Sequence, residues 1–143
     1  MGVSVVYTAE ATAWGGREGR AASSSGRVDV QLSVPKEMGG PGLDATNPEE
    51  LFAVGYAACF HSALKLVASK ARVDVAESAV TVRVGIGSDD AEGGFGLTVA
   101  IAGELPGVPA DTARELLDQA HAVCPYSKAT RHNVEVVVSL VEG

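Results

Sequence analysis

The segment 47–70 constrains the fold most strongly, because it predicts one long helix with an apolar beginning. Asn47 is a favourable N-cap residue, Pro48 suits the first helical position, and Glu50 falls at the third, as in a capping box. Glu49 and Glu50 also complement the positive end of the helix dipole. The first half is almost entirely apolar, so we expect it to be buried, whereas the second half becomes amphipathic.

Alternating apolar residues predict strands before this helix. The segment 27–34 alternates strictly between valine or leucine and polar residues, which is typical of a half-buried strand. Residues 3–7 also resemble a strand. Residues 35–42 are rich in proline and glycine and predict a loop that leads toward the helix.

The chain after the helix predicts a hairpin, a second helix and a last strand. Segments 79–87 and 94–105 alternate in the same way and are joined by a loop rich in glycine and aspartate, so we expect them to pair antiparallel. Residues 108–124 predict a helix and residues 133–141 a strand. This order indicates an α+β fold with an antiparallel sheet, in one domain over residues 1–143.

Composition narrows the classes of partner. The net charge is −7, with acidic and basic residues interleaved, which argues against nucleic acid or an anionic membrane as the main partner. The first residues lack the basic and apolar regions of a signal peptide. The longest uninterrupted apolar run, residues 51–60, is too short to cross a bilayer. We therefore expect a soluble, cytoplasmic protein.

The chain has two cysteines, Cys59 and Cys124. Free cysteine is among the most buried residue types, so position alone leaves open whether either thiol packs or reacts. His121 and Cys124 make a possible two-ligand fragment, but zinc wants four ligands and no closely spaced second pair occurs, so we expect no metal. A reactive cysteine must instead be a thiolate, which a buried site allows only beside a cation or strong donors.

Arg17 is the candidate cation, because it lies in a glycine-flanked loop at residues 13–19. An arginine in an apolar environment needs a carboxylate partner, and Glu49 begins the helix that carries Cys59. Glu49 and Cys59 are separated by about 15 Å of helix rise, so Glu49 cannot touch the sulfur but can anchor the arginine. Taken singly, Arg17 is better explained as a solvated loop charge and Glu49 as a favourable charge at a helix start.

Seven segments, in order over nearly the whole chain, match motifs of one known family: ATAWGGREG (11–19), PKEMGG (35–40), TNPEELFAVGYAACF (46–60), VGIG (84–87), GGFGL (93–97), LPG (105–107) and AHAVCPYSKATRHN (120–133). By these motifs the chain resembles the organic hydroperoxide resistance proteins, the peroxidase branch of the osmotically inducible (OsmC/Ohr) family. The two cysteine motifs are the longest and most specific of the seven.

The resemblance implies a thiol peroxidase that uses no metal or flavin. Cys59 matches the peroxidatic cysteine, Cys124 the resolving cysteine, Arg17 the arginine that activates the thiolate, and Glu49 the carboxylate that holds it. The implied fold is an intertwined homodimer, with highly curved sheets around long central helices. The implied reductant is a dihydrolipoyl group on a lipoylated carrier protein.

The chain departs from the family pattern at four positions. Glu18 stands where aspartate is usual, Glu50 where glutamine is usual, Lys128 where asparagine is common, and His132 where glycine is usual. Glu50 places a second carboxylate beside Glu49, so either could compete for the arginine. We assign the role to Glu49, because it is the position that matches.

Because the implied substrates are organic peroxides, we expect an apolar pocket for their alkyl groups. The candidates to line it are Leu51, Phe52, Phe95 and Met38. Ordinary core packing is the alternative for each. Two other functions also remain open: a stress peroxidase of the osmotically inducible branch, and a non-catalytic protein that senses redox state or binds a hydrophobic ligand. The absence of a basic patch disfavours a DNA-binding sensor.

Overall fold

A computed structural model describes residues 2–142 of the chain. The chain forms two compact units, Met1–Leu51 and Phe52–Gly143. The boundary falls in the first turn of the longest helix, α1 (Pro48–Lys70). The fold is α+β, with two small sheets and this long helix, as the sequence predicts.

The first unit contains a three-stranded antiparallel sheet. Its strands are β1 (Ala11–Trp14), β2 (Arg20–Ser23) and β3 (Asp29–Gln31), paired in the order β1-β2-β3. A 3₁₀ turn (Gly16–Glu18) connects β1 to β2, and a second (Lys36–Met38) follows β3.

Cross-strand side chains fix the register of this sheet. Arg20 lies opposite Trp14 in the ladder, with its guanidinium 5.2 Å from the indole centroid. The same guanidinium donates two hydrogen bonds of 2.8 Å to the carboxylate of Asp29. One cation therefore spans all three strands.

Two of the predicted strands differ in the structure. Residues 3–7 form no strand, and their apolar side chains are exposed. An extended segment becomes a strand only by pairing, and these residues pair with no strand among residues 2–142. The segment 27–34 is ordered as a strand only over β3, followed by a single bridge between Leu32 and Thr46.

The second unit combines most of α1 with a three-stranded sheet and two further helices. Its elements after α1 are β4 (Ala79–Ser88), β5 (Phe95–Glu104), α2 (Ala110–Val123), α3 (Pro125–Thr130) and β6 (Glu135–Leu140). The antiparallel hairpin β4–β5 confirms the prediction from alternation, whereas α3 was not predicted.

The sheet of the second unit is mixed, which differs from the antiparallel prediction for its last strand. β6 pairs with β5 in parallel, from Thr98 opposite Glu135 to Gly103 opposite Leu140. A parallel pair needs a crossover connection, and α2 and α3 together supply it. A helix after β5 was predicted, but alternation of apolar residues does not indicate whether the strand after that helix runs parallel or antiparallel to β5.

The core of the second unit is formed by α1, β5 and α2. Its fully or nearly fully buried side chains include Tyr56, Phe60, Leu64, Val99, Ile101, Leu116, Leu117 and Ala120. A Cβ on Gly103 would lie only 2.5 Å from Cδ2 of Leu117. The absence of a side chain at Gly103 therefore lets α2 pack closely against β5.

Burial along α1 contradicts the prediction for its first half, whereas its second half is amphipathic as predicted. Within the described chain the buried residues of α1 begin at Tyr56, whereas Val54 in the apolar first half is 69% exposed. By length and composition the whole helix is also apolar enough to cross a membrane, which the ten-residue run did not indicate. Its buried residues pack in the core of the second unit, and the core helix of a soluble protein meets the same two criteria.

Candidate active site

Arg17 and Glu49 form a bidentate ion pair in the first unit. Nη1 of Arg17 donates to Oε1 of Glu49 at 2.7 Å, and Nη2 donates to Oε2 at 2.9 Å. The Glu49 side chain is only 14% exposed and that of Arg17 36%. The hydrogen bonds from Arg17 hold the pKa of Glu49 below its usual value, despite the opposing effect of burial. The carboxylate is therefore ionised and holds the guanidinium in one orientation.

A glycine shapes the loop that presents Arg17. The chain leaves β1 at Trp14 and returns in β2 at Arg20. A Cβ on Gly19 would overlap the carbonyl oxygen of Trp14, so no other residue fits this turn without moving the backbone. Gly19 thus has a steric reason to be there, whereas Gly15 and Gly16 before Arg17 adopt positive φ angles (86° and 59°) that favour glycine.

Glu50 does not share the arginine. Its Oε1 accepts a hydrogen bond of 2.8 Å from the hydroxyl of Thr46, and its backbone N–H donates to Oδ1 of Asn47 at 2.8 Å. The N-cap predicted at Asn47 is confirmed by that second bond. The two adjacent carboxylates have separate partners, so the departure at position 50 leaves the pair of Arg17 and Glu49 intact.

The two cysteines lie together in the second unit. The Cys124 thiol donates toward Cys59, with 3.7 Å between the sulfur atoms. Cys59 is on α1 and half-buried, whereas Cys124 is fully buried at the junction of α2 and α3. Both cysteines are free thiols.

The chain turns sharply at Cys124, because a proline follows it. Pro125 is the first residue of α3, and proline disfavours helical backbone angles in the residue before it. Cys124 accordingly adopts extended angles (φ −62°, ψ 125°), ending α2 and capping α3. The thiol therefore stands at a fixed corner of the backbone.

The second unit by itself opposes ionisation of Cys59. Burial raises the pKa of the Cys59 thiol, a hydrogen bond from the backbone of Tyr126 lowers it, and the neighbouring Cys124 raises it again. Burial is the largest of these effects. A thiolate at Cys59 would thus be favoured by a cation or by further hydrogen-bond donors in addition to these groups.

Tyr56, Tyr126 and Ser127 are each within three residues of one of the two cysteines, and sequence reasoning missed them. Tyr126 packs against Tyr56 with ring centroids 5.5 Å apart, and against Phe52 at 6.2 Å. A Cβ on Gly55 would lie 2.8 Å from the Tyr126 hydroxyl, so the ring rests on that glycine. The available signal was the motif around Cys124, in which both Tyr126 and Ser127 lie within three residues of the thiol.

An apolar cavity of about 590 Å³ lies beside Tyr126 in the second unit. Phe52, one of the four predicted pocket residues, lines it together with Leu97, Pro125, Tyr126, Ala129, Thr130, Asn133 and Val134. Phe95 does not line it: that side chain is 70% exposed at the start of β5. Leu51 and Met38 belong to the first unit, where both are half-buried.

Residues 2–142 contain no cluster of three or more side chains able to hold a metal ion. The ring of His121, which the sequence paired with Cys124 as a possible fragment, instead bonds through Nδ1 to the Ser127 hydroxyl at 2.8 Å.

Comparison with known proteins gives one consistent result. Residues 39–139 match the family model described as OsmC-like protein. The organic hydroperoxide resistance protein of Xanthomonas axonopodis pv. citri is 50% identical over 137 residues, which cover 95% of each chain. The organic hydroperoxide resistance protein OhrA of Bacillus subtilis is 45% identical, over 96% of this chain and 97% of its own.

A solved structure agrees with these relatives. The crystal structure of an organic hydroperoxide resistance protein from Elizabethkingia anophelis has a TM-score of 0.92 and 45% sequence identity to this chain. The match covers 99% of this chain and all of that one.

The sulfur separation predicts that mild oxidation forms an intramolecular disulfide without refolding. The sulfurs need to approach from 3.7 Å to about 2.05 Å, a change of about 1.7 Å. Treatment with diamide should reduce the chain mass by two hydrogens, measured by intact mass spectrometry under non-reducing conditions. Only intermolecular disulfides, or unreacted thiols, would contradict the geometry; Cys124→Ser is the control that cannot form the bridge.

Proposed function

This chain belongs to the OsmC-like family, among relatives named organic hydroperoxide resistance proteins, and from that premise we propose that it is a cysteine-based peroxidase that reduces organic hydroperoxides to alcohols. One observation carries the proposal: a half-buried thiol and a fully buried thiol with their sulfur atoms 3.7 Å apart. The first has access to a substrate, and the second is within reach of the oxidised product. A buried cysteine with no such partner would have been ordinary core.

In the first step, the Cys59 thiolate attacks the distal oxygen of the hydroperoxide. The O–O bond breaks, a sulfenic acid forms on Cys59, and the alkoxide takes a proton to leave as the alcohol. In the second step, the Cys124 sulfur attacks the sulfenic sulfur. The S–O bond breaks, the hydroxyl leaves as water with the Cys124 proton, and a disulfide remains.

A dithiol reductant closes the cycle. Its first thiolate forms a mixed disulfide with the protein, and its second thiol releases that bond, returning both cysteines reduced and leaving the reductant as a cyclic disulfide. We propose a dihydrolipoyl group on a lipoylated carrier protein as this reductant, and the cytoplasm as the compartment, where free thiols persist. The reaction needs no metal or flavin, because the thiols carry both electrons.

Arg17 has the charge that this chemistry requires. Burial raises the pKa of Cys59, and a cation beside the sulfur would favour the thiolate. Two of the five N–H donors of a guanidinium bind Glu49, which leaves three for a sulfur or for the departing alkoxide. We therefore propose Arg17 as the activating residue of Cys59 and Glu49 as the residue that orients it.

The apolar cavity beside Tyr126 supports a preference for organic peroxides. Each methylene of an alkyl chain that leaves water there contributes about 0.8 kcal/mol, a gain that hydrogen peroxide lacks. Phe52 contributes to that cavity, so it stays in the proposed substrate pocket.

We propose that the working form is a homodimer. Large apolar side chains of the single chain are exposed both before β1 and on α1: Val3, Val5, Val6, Tyr7, Val54 and Leu66. Sedimentation velocity at micromolar concentration should therefore give twice the 14.6 kDa chain mass. A species with the mass of one chain would contradict the dimer without affecting the proposed chemistry.

Removing either thiol separates the two half-reactions. With cumene hydroperoxide, dihydrolipoamide, lipoamide dehydrogenase and NADH, Cys59→Ser should lose turnover to the uncatalysed rate. Cys124→Ser should consume about one equivalent of peroxide and then stall or over-oxidise. Wild-type turnover by Cys59→Ser would refute the mechanism, whereas stoichiometric peroxide loss by the unsubstituted protein would favour a redox sensor.

Arg17→Ala tests thiolate activation. Losing the cation should raise the pKa of Cys59, so the midpoint of its alkylation rate against pH should move to higher pH. Rates of iodoacetamide labelling at Cys59, read by peptide mass spectrometry between pH 5 and 10, measure it. Arg27→Ala removes an exposed arginine of the same unit and should leave the profile unchanged. Identical profiles for Arg17→Ala and the unsubstituted protein would remove Arg17 from the activating role.

A further inference from the structure

The hydroxyl of Ser127 hydrogen-bonds to side chains of two other helices. It lies 2.8 Å from the hydroxyl of Tyr56 on α1 and 2.8 Å from Nδ1 of His121 on α2. Ser127 itself belongs to α3, and both Ser127 and Tyr56 are fully buried. A buried hydroxyl with two good partners is costly to remove, because its partners then lose hydrogen bonds away from water.

The hydrogen bonds form a chain in which every hydroxyl donates once. Thr130 donates to the carbonyl of Ser127 at 3.2 Å, so its oxygen is free to accept from Tyr56, also at 3.2 Å. Ser127 then donates to Tyr56, and Nδ1–H of His121 donates to Ser127. The network is complete when His121 carries a proton on Nδ1.

This network and the sulfur pair join the same two segments one turn apart. Tyr56 precedes Cys59 by three residues on α1, and Ser127 follows Cys124 by three residues into α3. Residues three apart lie on one helix face, so the bond between Ser127 and Tyr56 runs alongside the approach of the two sulfurs. It fixes the distance between the backbones that carry them.

We propose that Ser127, together with Tyr56 and His121, is a positioning residue for disulfide formation between Cys59 and Cys124. The inference rests on the proposed peroxidase function and concerns its second step. The Cys124 sulfur must meet the sulfenic sulfur of Cys59 before a second hydroperoxide does. A second attack would insert another oxygen, breaking the O–O bond of that peroxide and leaving a sulfinic acid, which does not return to the thiol by simple exchange.

Positioning decides between these two fates, because disulfide formation is intramolecular and over-oxidation is not. Displacement of a reacting group by about 1 Å can slow such a step as much as a hundredfold. The hydrogen bond between Ser127 and Tyr56 is made before the reaction, so it favours closure without contributing to the attack on the peroxide.

Ser127→Ala tests the proposal in a single turnover. The reduced variant is mixed with stoichiometric cumene hydroperoxide, and the products are quenched at intervals for intact mass spectrometry. Sulfenic acid at Cys59 should form at the unsubstituted rate, and the disulfide should form about tenfold more slowly or worse. With excess peroxide, the sulfinic product should accumulate in the variant and not in the unsubstituted protein.

Matched variants separate positioning from general loss of stability. Ser69→Ala removes an exposed hydroxyl from α1 and should leave both steps unchanged. His121→Asn keeps a donor where Nδ1 stands and should restore much of the closure rate that His121→Leu loses. Tyr56→Phe removes one hydroxyl alone and decides the question if Ser127→Ala does not fold.

Disulfide formation at the unsubstituted rate in Tyr56→Phe, or in a folded Ser127→Ala, would overturn the inference. An equal slowing of both steps would overturn it too, since it would indicate a disturbed site rather than a displaced thiol. If the unsubstituted protein forms no sulfenic acid at Cys59, the proposed function fails instead, so the two failures are distinguishable.

Discussion

The second unit depends on one local constraint, the proline that follows Cys124. Pro125 keeps Cys124 out of helical angles, so α2 ends and α3 begins in a new direction at the thiol itself. This corner brings Cys124 beside Cys59 and turns Tyr126 and Ser127 toward α1. The same two helices then return the chain in parallel to β5. A single restricted backbone angle thus sets both the sulfur geometry and the topology of the sheet.

Burial has opposite consequences for the two steps of the proposed chemistry. It raises the pKa of Cys59, which hinders attack, but it also excludes water and holds Cys124 close. Two sets of polar contacts bear on these two steps. The bidentate pair of Arg17 and Glu49 fixes a cation, and the buried hydroxyl of Ser127 fixes a backbone.

Local signals predicted much of the fold. The cap at Asn47, the helix that follows it, and the β4–β5 hairpin are all encoded by residues close in sequence, and the structure contains each of them. The parallel pairing of β6 was not predictable, because it depends on the direction of a crossover rather than on alternation. The exposure of Val54 was mispredicted for a related reason: an apolar helix shows that a partner surface is needed, but not which face it covers.

The candidate site was also only partly predictable from the sequence. Charge and chemistry suggested Arg17, Glu49 and the two thiols as candidates, and the family resemblance gave them roles. No local pattern could show that Glu49 rather than Glu50 binds the arginine, since both stand in one helical turn. The partners of Ser127 were equally hidden, because Tyr56 is far away in sequence and becomes a neighbour only after the helices pack.

Trp14 gives this protein an internal reporter. It is the only tryptophan in the chain, it ends the strand that leads into the Arg17 turn, and its ring lies under the guanidinium of Arg20. Its carbonyl also packs against Gly19 at the other end of that turn. A rearrangement of the Arg17 loop would change the surroundings of the indole, so its fluorescence can follow that loop in the unlabelled protein.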